Sequence, residues 1–171
     1  MVAVPPRRLL AGMSASLLVL GLAVAISEAR ASSVGPRPIV AAAPRVLPAE
    51  YQSYVSAAAA CPGLDPMILV AIHDVETGRD ARGETSSAGA IGPMQFLPDT
   101  WAAYGVDADH DGTVDVYNLT DALAGATRLL CRNGVADPAT RGTAIWNYNH
   151  SWGYVRAVLI RAAELHSALG V

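Results

Sequence analysis

One carboxyl group, that of Glu76, stands where burial and helix polarity would both favour its protonated form. A helix is predicted before it, because Asp65 can cap the N-terminus and Pro66 suits the first helical position. The apolar residues of this helix recur at helical spacing, at Ile68, Ala71, Ile72 and Val75. Gly78 is a C-terminal stop signal, so Glu76 falls in the last turn. Apolar surroundings and the helix dipole raise a carboxyl pKa, as general acid catalysis requires; a surface glutamate before a helix end is the alternative.

A glycine-rich loop follows, from Ser86 to Phe96, with small residues at positions 88, 89, 90 and 92. Small residues allow the backbone to pass close to a ligand or to another segment. Within this loop, Gln95 offers both a hydrogen-bond donor and an acceptor to a cleft. Taken alone, the loop is also consistent with a tight turn that binds no ligand.

An acidic segment lies further along the chain. Carboxylates alternate at Asp107, Asp109 and Asp111, and Gly112 occupies the sixth position of the run. This pattern is typical of the start of an EF-hand-like calcium loop, and its all-oxygen donors favour calcium over zinc. The ordinary loop has a bidentate glutamate at position twelve, where this chain has Asn118. A solvated acidic turn is the alternative.

Together, these motifs resemble those of the lytic transglycosylases of bacterial cell walls. The matching residues are Glu76-Thr77-Gly78, the S-x-x-G-A-x-G-x-x-Q-F pattern from Ser86 to Phe96, L-P-D-T-W from Leu97 to Trp101, and Tyr148-Asn149. With the acidic loop included, the pattern is most similar to the membrane-bound lytic murein transglycosylase B type, over roughly residues 60–160. The resemblance implies an all-α (mainly α), lysozyme-like domain that cleaves peptidoglycan.

The resemblance also implies roles for individual residues. Glu76 would be the single general acid and base at the bond between N-acetylmuramic acid and N-acetylglucosamine, giving a 1,6-anhydromuramoyl product. Ser86 and Gln95 would position the substrate acetamido group and the carboxyl, and Tyr148 would hold Glu76. The implied substrate-binding set is Ser86, Gln95, Tyr148, Asn149 and Tyr154.

In the resembled family the calcium loop is longer, and an aspartate at position fifteen supplies the bidentate ligand. Position fifteen here is Asp121. The implied ligands are Asp107, Asp109, Asp111, the backbone carbonyl of Thr113, and Asp121. Asp115, at position nine, is expected to act through a water molecule. The calcium ion is expected to be structural, and no organic cofactor is expected.

Two other functions stay open at this point. A hydrolytic muramidase on the same fold would need a second carboxylate. Asp74 points to a different helix face from Glu76, which leaves Glu84 as the candidate. The other function is a catalytically inactive, calcium-stabilised wall-binding module. Its sign would be a missing Glu76 or a broken loop motif, but this chain has Glu76 and an intact loop motif. His73 and His150 are expected to be exposed or locally hydrogen-bonded, not metal ligands.

The N-terminus has the features of an export signal. Two arginines, Arg7-Arg8, precede an apolar run from Leu9 to Ile26, and Ala29-Arg30-Ala31 resembles a cleavage site. An uncleaved membrane anchor is the alternative, because the run approaches the ~20 residues that span a bilayer. We therefore expect a signal peptide over residues 1–31, a proline-rich linker over 32–49 and the folded domain over 50–171. The expected location is extracellular, periplasmic or at the cell wall.

Charge and cysteine content narrow the partners. The net charge is −3, with 12 basic and 15 acidic residues, so no basic patch suggests nucleic-acid binding. Glycan strands held in a cleft are the expected partner. An exported chain with two cysteines, Cys61 and Cys131, is expected to form one disulfide, and two buried thiols are the alternative.

Periodicity predicts helices and no convincing strand. The predicted helices cover residues 50–60, 65–77, 98–105 and 137–149, and a last helix follows Ser151. Another helix is predicted to end at about Cys131, with Thr120 or Asn118 as its N-terminal cap. The predicted core face of the last helix consists of Val155, Leu159, Ala162, His166 and Leu169.

Overall fold

The computed structural model of the protein describes residues 47–80 and 85–171. The predicted signal peptide, most of the linker and Glu84 lie outside the described residues. Regular structure within the two described ranges is helical, apart from one isolated bridge between Ile91 and Phe96. The all-α fold class is therefore confirmed.

Six α-helices follow a short 3-10 turn. Their bounds are Ala49–Tyr51 for the turn, Gln52–Ala58 (α1), Pro66–Thr77 (α2), Pro98–Tyr104 (α3), Leu119–Arg132 (α4), Arg141–Asn149 (α5) and Trp152–Leu169 (α6). Helix α5 begins later than predicted, because the Asp137 carboxylate accepts the Ala139 N–H at 2.8 Å and organises a separate turn first. Across both described ranges, each helix is too short or too polar to traverse a bilayer.

Helix α2 lies at the centre of the fold, in contact with α1, α4 and α6. Its residues from Met67 to His73 are all buried, one after another. The predicted single apolar face was therefore too narrow, since neighbouring helices cover the first two turns on every side. Val75 was wrongly placed in the core. It is 38% exposed, because the last turn of α2 reaches the surface, where Gly78 and Arg79 are also exposed.

Helix α6 packs along α2 with a different face from the one predicted. Its buried apolar residues are Val155, Val158, Ala162 and Leu165, together with Tyr154. Leu159, which was expected inside, is 38% exposed. His166 is half-exposed and bonds the Asp65 carboxylate at 2.7 Å. Helical periodicity predicts the spacing of the residues on a buried face, but the position of α2 decides which face of α6 is buried.

A disulfide joins Cys61 and Cys131, whose Cα atoms are 5.8 Å apart. It ties the connection between α1 and α2 to the last turn of α4, as the sequence analysis expected. The cross-link closes a loop of 70 residues. In the chain-entropy description, such a loop stabilises the folded state by about 4 kcal/mol.

Candidate active site

Local sequence fixes both ends of α2 and so the position of Glu76. The Asp65 carboxylate accepts the Met67 N–H at 2.9 Å, and Pro66 occupies the first turn. Gly78 ends the helix in the left-handed conformation, at φ 64°. Glu76 consequently lies in the last turn, as predicted, with its backbone held on both sides.

The Glu76 side chain is half-buried, and burial raises the pKa of its carboxyl. Hydrogen bonding to Tyr154 and Asn149 acts in the opposite direction, because it stabilises the charged form, but it is the smaller effect. Among the described residues, no carboxylate adds to this pKa shift. Glu76 is therefore an isolated acid in a partly desolvated setting, the condition that favours a proton donor near neutral pH.

The Tyr154 hydroxyl is close enough to Glu76 to affect the pKa of that carboxyl. Among the described residues, however, no acceptor lies at standard hydrogen-bond distance and angle from this hydroxyl. Two aspects of its surroundings explain why it stays protonated. Burial raises the pKa of Tyr154 far above its usual value, and the nearby Glu76 charge raises it further. Tyr154 is thus a neutral hydroxyl beside the carboxyl, close enough to interact with it but outside ideal hydrogen-bond geometry.

Tyr148 contacts the site differently from the prediction. Its hydroxyl donates to the Met94 carbonyl at 2.8 Å, and not to Glu76. Its ring stacks on the ring of Tyr154, with centroids 6.3 Å apart and planes 3° apart. The contact expected of Tyr148 is made by Asn149 and Tyr154, because the Tyr148 side chain is turned toward the glycine-rich loop. Tyr148 therefore joins that loop to the carboxyl's neighbours.

The glycine-rich loop is shaped by Ser86. Its Oγ accepts the N–H groups of Ala88 and Ala90 at 3.2 and 3.0 Å. These two bonds use the lone pairs of the oxygen, so the hydroxyl hydrogen remains as a donor. Gly92 is at φ 75°, and a side chain there would collide with the Val116 carbonyl. Small residues in this loop therefore serve close backbone packing as well as any ligand.

Gln95 sits at the bend of the same loop with φ 49°, a left-handed conformation that few non-glycine residues adopt. Its side-chain amide donates to the Gly92 carbonyl at 3.0 Å. Together with Thr100, Tyr148 and His150, it lines a pocket of about 180 Å³. The strained bend thus places Gln95 at the wall of a small polar and aromatic cavity.

A second catalytic carboxylate is not present near Glu76 in the described part of the chain. Asp74 is bound by Arg79 at 2.7 Å and by Arg161 at 2.6 Å. Those two ion pairs keep it committed on another side of α2, in agreement with the sequence argument. Glu84 lies outside the described residues.

His73 is the residue whose environment the sequence analysis missed. It is 1% exposed, and burial lowers the pKa of its imidazole. Its Nε2 is 3.1 Å from the Asp80 carbonyl, which can only accept, so Nε2 carries the hydrogen. Nδ1 must then accept from the Tyr54 hydroxyl, 2.7 Å away. Only Tyr54, nineteen positions earlier, could have signalled this burial, and nothing in the local sequence pairs the two. His150 is exposed.

The acidic loop brings together three of its predicted ligands. Carboxylate oxygens of Asp107, Asp109 and Asp121 lie within 4.8 Å of one another. Asp121 is 1% exposed and accepts the N–H groups of Ala108 at 2.7 Å and Asp115 at 2.9 Å. An all-oxygen cluster with one buried carboxylate fits a hard cation such as calcium.

Two other loop positions have different partners. The Asp111 carboxylate accepts the Thr113 N–H at 2.7 Å, and Asp111 is not one of the three clustered residues. Asn118, in place of the usual glutamate, donates to Asp109 at 2.6 Å and also caps α4. The departure at position twelve therefore has a structural role, because one asparagine links the acidic loop to the helix that follows.

Comparison with known protein families gives one match. Residues 78–143 match the family described as Transglycosylase SLT domain. This segment contains the glycine-rich loop, α3, the acidic loop and α4. Glu76 lies just before it, and Tyr148, Asn149 and Tyr154 lie beyond it, so the match does not reach those four side chains.

Solved structures share the fold. Lytic transglycosylase SLT35 of Escherichia coli, in complex with calcium, superposes with a TM-score of 0.58 at 17% identity, over 74% of this chain and 77% of that chain. The same enzyme in complex with bulgecin A superposes with a TM-score of 0.57 at 17% identity, over 74% of this chain and 77% of that chain. Soluble lytic transglycosylase SltB1 of Pseudomonas aeruginosa gives 0.62 at 18% identity, over 71% and 77%. These structures share the helical fold that the motif resemblance implies, and the family match covers the glycine-rich and acidic loops of that resemblance.

Proposed function

We propose that this protein is a lytic transglycosylase of the SLT superfamily, which cleaves peptidoglycan between N-acetylmuramic acid and N-acetylglucosamine with formation of a 1,6-anhydromuramoyl end. The observation that carries the proposal is the solitary Glu76 carboxyl, whose pKa is raised by burial with no carboxylate among the described residues acting on it. One carboxyl that changes protonation state can serve as both acid and base.

The first step is bond cleavage. Glu76 donates its proton to the glycosidic oxygen, and the bond between that oxygen and C1 of the muramoyl unit breaks. The oxygen of the substrate's 2-acetamido group bonds to C1, which closes a five-membered ring. The positive charge is then shared by the oxygen and nitrogen of that ring. The Glu76 carboxylate that remains is stabilised by the Tyr154 hydroxyl and the Asn149 side chain, which act on its pKa in that direction.

The second step closes the anhydro ring. The Glu76 carboxylate takes the proton of the muramoyl 6-hydroxyl, whose oxygen attacks C1 and displaces the acetamido oxygen. The catalyst returns to its protonated form, and no water is consumed. A partly buried carboxyl suits this step, because exclusion of water suppresses hydrolysis of the intermediate.

The surrounding residues position the substrate. The Ser86 hydroxyl can donate a hydrogen bond and the Gln95 side-chain amide can donate and accept, so both suit contact with the acetamido group. Tyr148 donates a hydrogen bond to the Met94 carbonyl, and its ring stacks on that of Tyr154 and so supports it. Asn149 and Tyr154 orient the Glu76 carboxyl.

We also propose that the acidic loop binds a structural calcium ion. Asp107, Asp109 and Asp121 would hold it, with Asp111 and the Thr113 carbonyl moving in to complete the set. Calcium would neutralise a cluster of carboxylates that otherwise repel one another. SLT35, which has the same fold, was solved in complex with calcium.

A wall substrate requires export. The proposed organisation is a signal peptide or membrane anchor at residues 1–31, a linker at 32–49 and the transglycosylase domain at 50–171. The disulfide between Cys61 and Cys131 supports an oxidising compartment outside the cytoplasm. Peptidoglycan glycan strands are the proposed partner.

The test is digestion of purified peptidoglycan with residues 32–171, with and without calcium, followed by mass spectrometry of the released muropeptides. We expect products lighter by one water than those of a hydrolase. Products with a free reducing end would instead establish a hydrolytic muramidase and direct attention to Glu84. Absence of release from a folded, calcium-loaded protein would favour a wall-binding module.

A further inference from the structure

The first turn of α6 carries the most exposed of the large apolar side chains described, Trp152, which is 64% exposed. An indole with so much surface in water contributes little burial to the folded state. The other exposed large apolar residues of α6, Leu159 and Ile160, are smaller and less exposed, at 38% and 48%. An isolated exposed leucine needs no explanation, but a tryptophan this exposed is a candidate for ligand contact.

Trp152 is connected to the proposed substrate pocket by aromatic contacts. Its ring centroid is 6.4 Å from that of Trp146, with planes 34° apart. Trp146 in turn meets the ring of His150 edge-on, with centroids 4.8 Å apart. His150 lines the same pocket as Gln95 and Tyr148. We define His150, Trp146 and Trp152 as the aromatic platform, which runs from the pocket to the surface.

The backbone holds the aromatic platform in place. His150 ends α5 in a left-handed conformation at φ 55°, and Ser151 caps α6 by accepting the Tyr154 N–H at 3.3 Å. One edge of the Trp152 ring lies over Gly142 on α5. The tryptophan therefore starts a helix whose first turn also supplies Tyr154 to Glu76, so the same short turn positions the platform and a neighbour of the proposed catalytic carboxyl.

The chemistry of a β-linked N-acetylhexosamine fits such a surface. Its hydroxyl and acetamido substituents are equatorial, so each face of the ring presents axial C–H groups. The π face of an indole is electron-rich and attracts such weakly positive hydrogens, while its apolar area excludes water. A polar partner that still offers a flat apolar face is therefore well matched to Trp152.

We propose that the aromatic platform is a glycan-binding subsite, in which Trp152 stacks on a sugar ring of a strand whose scissile bond lies at Glu76. This rests on the proposed function, since it assumes a glycan strand in the cleft. Trp152 and Trp146 are positioning residues: they fix the strand and do not touch the reacting atoms. Long strands gain from the subsite, whereas a disaccharide bound only at Glu76 does not.

The test measures binding without turnover. In the Glu76→Gln background, affinities for N-acetylglucosamine dimers and hexamers are measured by calorimetry. Adding Trp152→Ala should weaken hexamer binding by about tenfold and leave dimer binding unchanged, whereas Trp152→Phe should retain most of the affinity. The matched control is Ile160→Ala, an exposed apolar residue of the same helix, which should bind like its parent.

Fluorescence gives a second readout that does not depend on the alanine variant folding. Hexamer binding should shift the tryptophan emission of the Glu76→Gln protein, and Trp152→Phe should remove most of that shift. Unchanged hexamer affinity in Trp152→Ala, or an undiminished shift in Trp152→Phe, would overturn the subsite. Hydrolytic products from the wild-type protein would refute the proposed lyase reaction alone, because the binding assay is independent of turnover.

Discussion

The end of α2 and the acidic loop both place carboxyl groups in partly or fully buried positions, but they treat them in opposite ways. At the end of α2, burial raises the pKa of Glu76, and its partners are side chains that only partly offset this. In the loop, Asp121 is more deeply buried, yet it accepts two backbone N–H groups at 2.7 and 2.9 Å. The two carboxyl groups therefore differ in their partners, which are side chains for Glu76 and backbone N–H groups for Asp121.

The difference shows how one functional group acquires two uses. Each carboxylate oxygen of Asp121 is bonded to a different part of the loop, so this side chain holds the two segments together. The partners of Glu76 are the side chains of Tyr154 and Asn149, and the proposed mechanism requires this carboxyl to gain and lose a proton. Depth of burial alone does not distinguish the two, since the more buried group is the structural one. The number and kind of hydrogen-bond donors do.

The strongest test of this comparison is Glu76→Gln. The amide cannot transfer a proton, so peptidoglycan turnover should fall by at least ~100-fold. The fold should persist, because the new side chain has the same size. Release of anhydro-muropeptides at a wild-type rate by the purified variant would remove Glu76 from the mechanism.

The same variant should be more stable than wild type at neutral pH. The folded state raises the pKa of Glu76 above its unfolded value of about 4.3, so the unfolded state ionises first as pH rises. The free energy of unfolding of the wild type therefore decreases as pH rises from about 4.3 to the pKa of the folded state. The glutamine variant does not titrate at this position, so it does not lose this stability. Urea unfolding of both proteins from pH 4 upward should show a growing gap; a constant gap would contradict the environment described for Glu76.

The next largest effect is expected in the loop. Asp121→Asn places an amide group against the N–H groups of Ala108 or Asp115, and we expect a loss of about 1–3 kcal/mol in the free energy of unfolding. Calcium should raise the thermal midpoint of wild type and have little effect on the variant. Asp99→Asn, on the exposed side of α3, is the control and should keep its calcium response.

A smaller effect separates the two tyrosines behind Glu76. Tyr154→Phe removes a hydroxyl that stabilises the carboxylate, so kcat should fall about tenfold and the alkaline limb of the pH profile should move upward. Stability should change little, because that hydroxyl lacks a full hydrogen bond. Tyr148→Phe loses the bond to Met94 and should cost about 1 kcal/mol of stability. Equal stability losses in both variants would contradict this distinction.

The smallest effect concerns His166, which bonds the capping residue of α2. Its hydrogen bond to Asp65 raises the pKa of His166. The stabilisation is therefore complete below the unfolded pKa of about 6.5 and is lost as pH rises through the folded value. In the Glu76→Gln background, where the active-site carboxyl no longer titrates, thermal midpoints should still fall slightly across this range. Adding His166→Gln should flatten that slope.

Much of the catalytic helix was predictable because its signals are local. Asp65, Pro66 and Gly78 act within one turn of their own positions, and the helix bounds agree with them. The same reasoning located the cap at Ser151 and the end of α3 near Gly105. It failed for Leu159 and His73, where the outcome depends on which remote helix lies against each face.

The sequence by itself determined that the chain forms helices, where most of them begin and end, and which motifs carry chemistry, since propensity, capping and spacing act between near neighbours. Only the tertiary structure decided that Tyr148 bonds Met94 while Tyr154 and Asn149 approach Glu76, and that Asp121 anchors two loop segments. The pairings of Tyr148, Tyr154 and Asn149 join residues more than 50 positions apart, and those of Asp121 span 13 and 6 positions, beyond a single helical turn. The physical reason is that a side chain's partners, and therefore its pKa, are set by the packing of α2, α5 and α6 against one another, which no local pattern encodes.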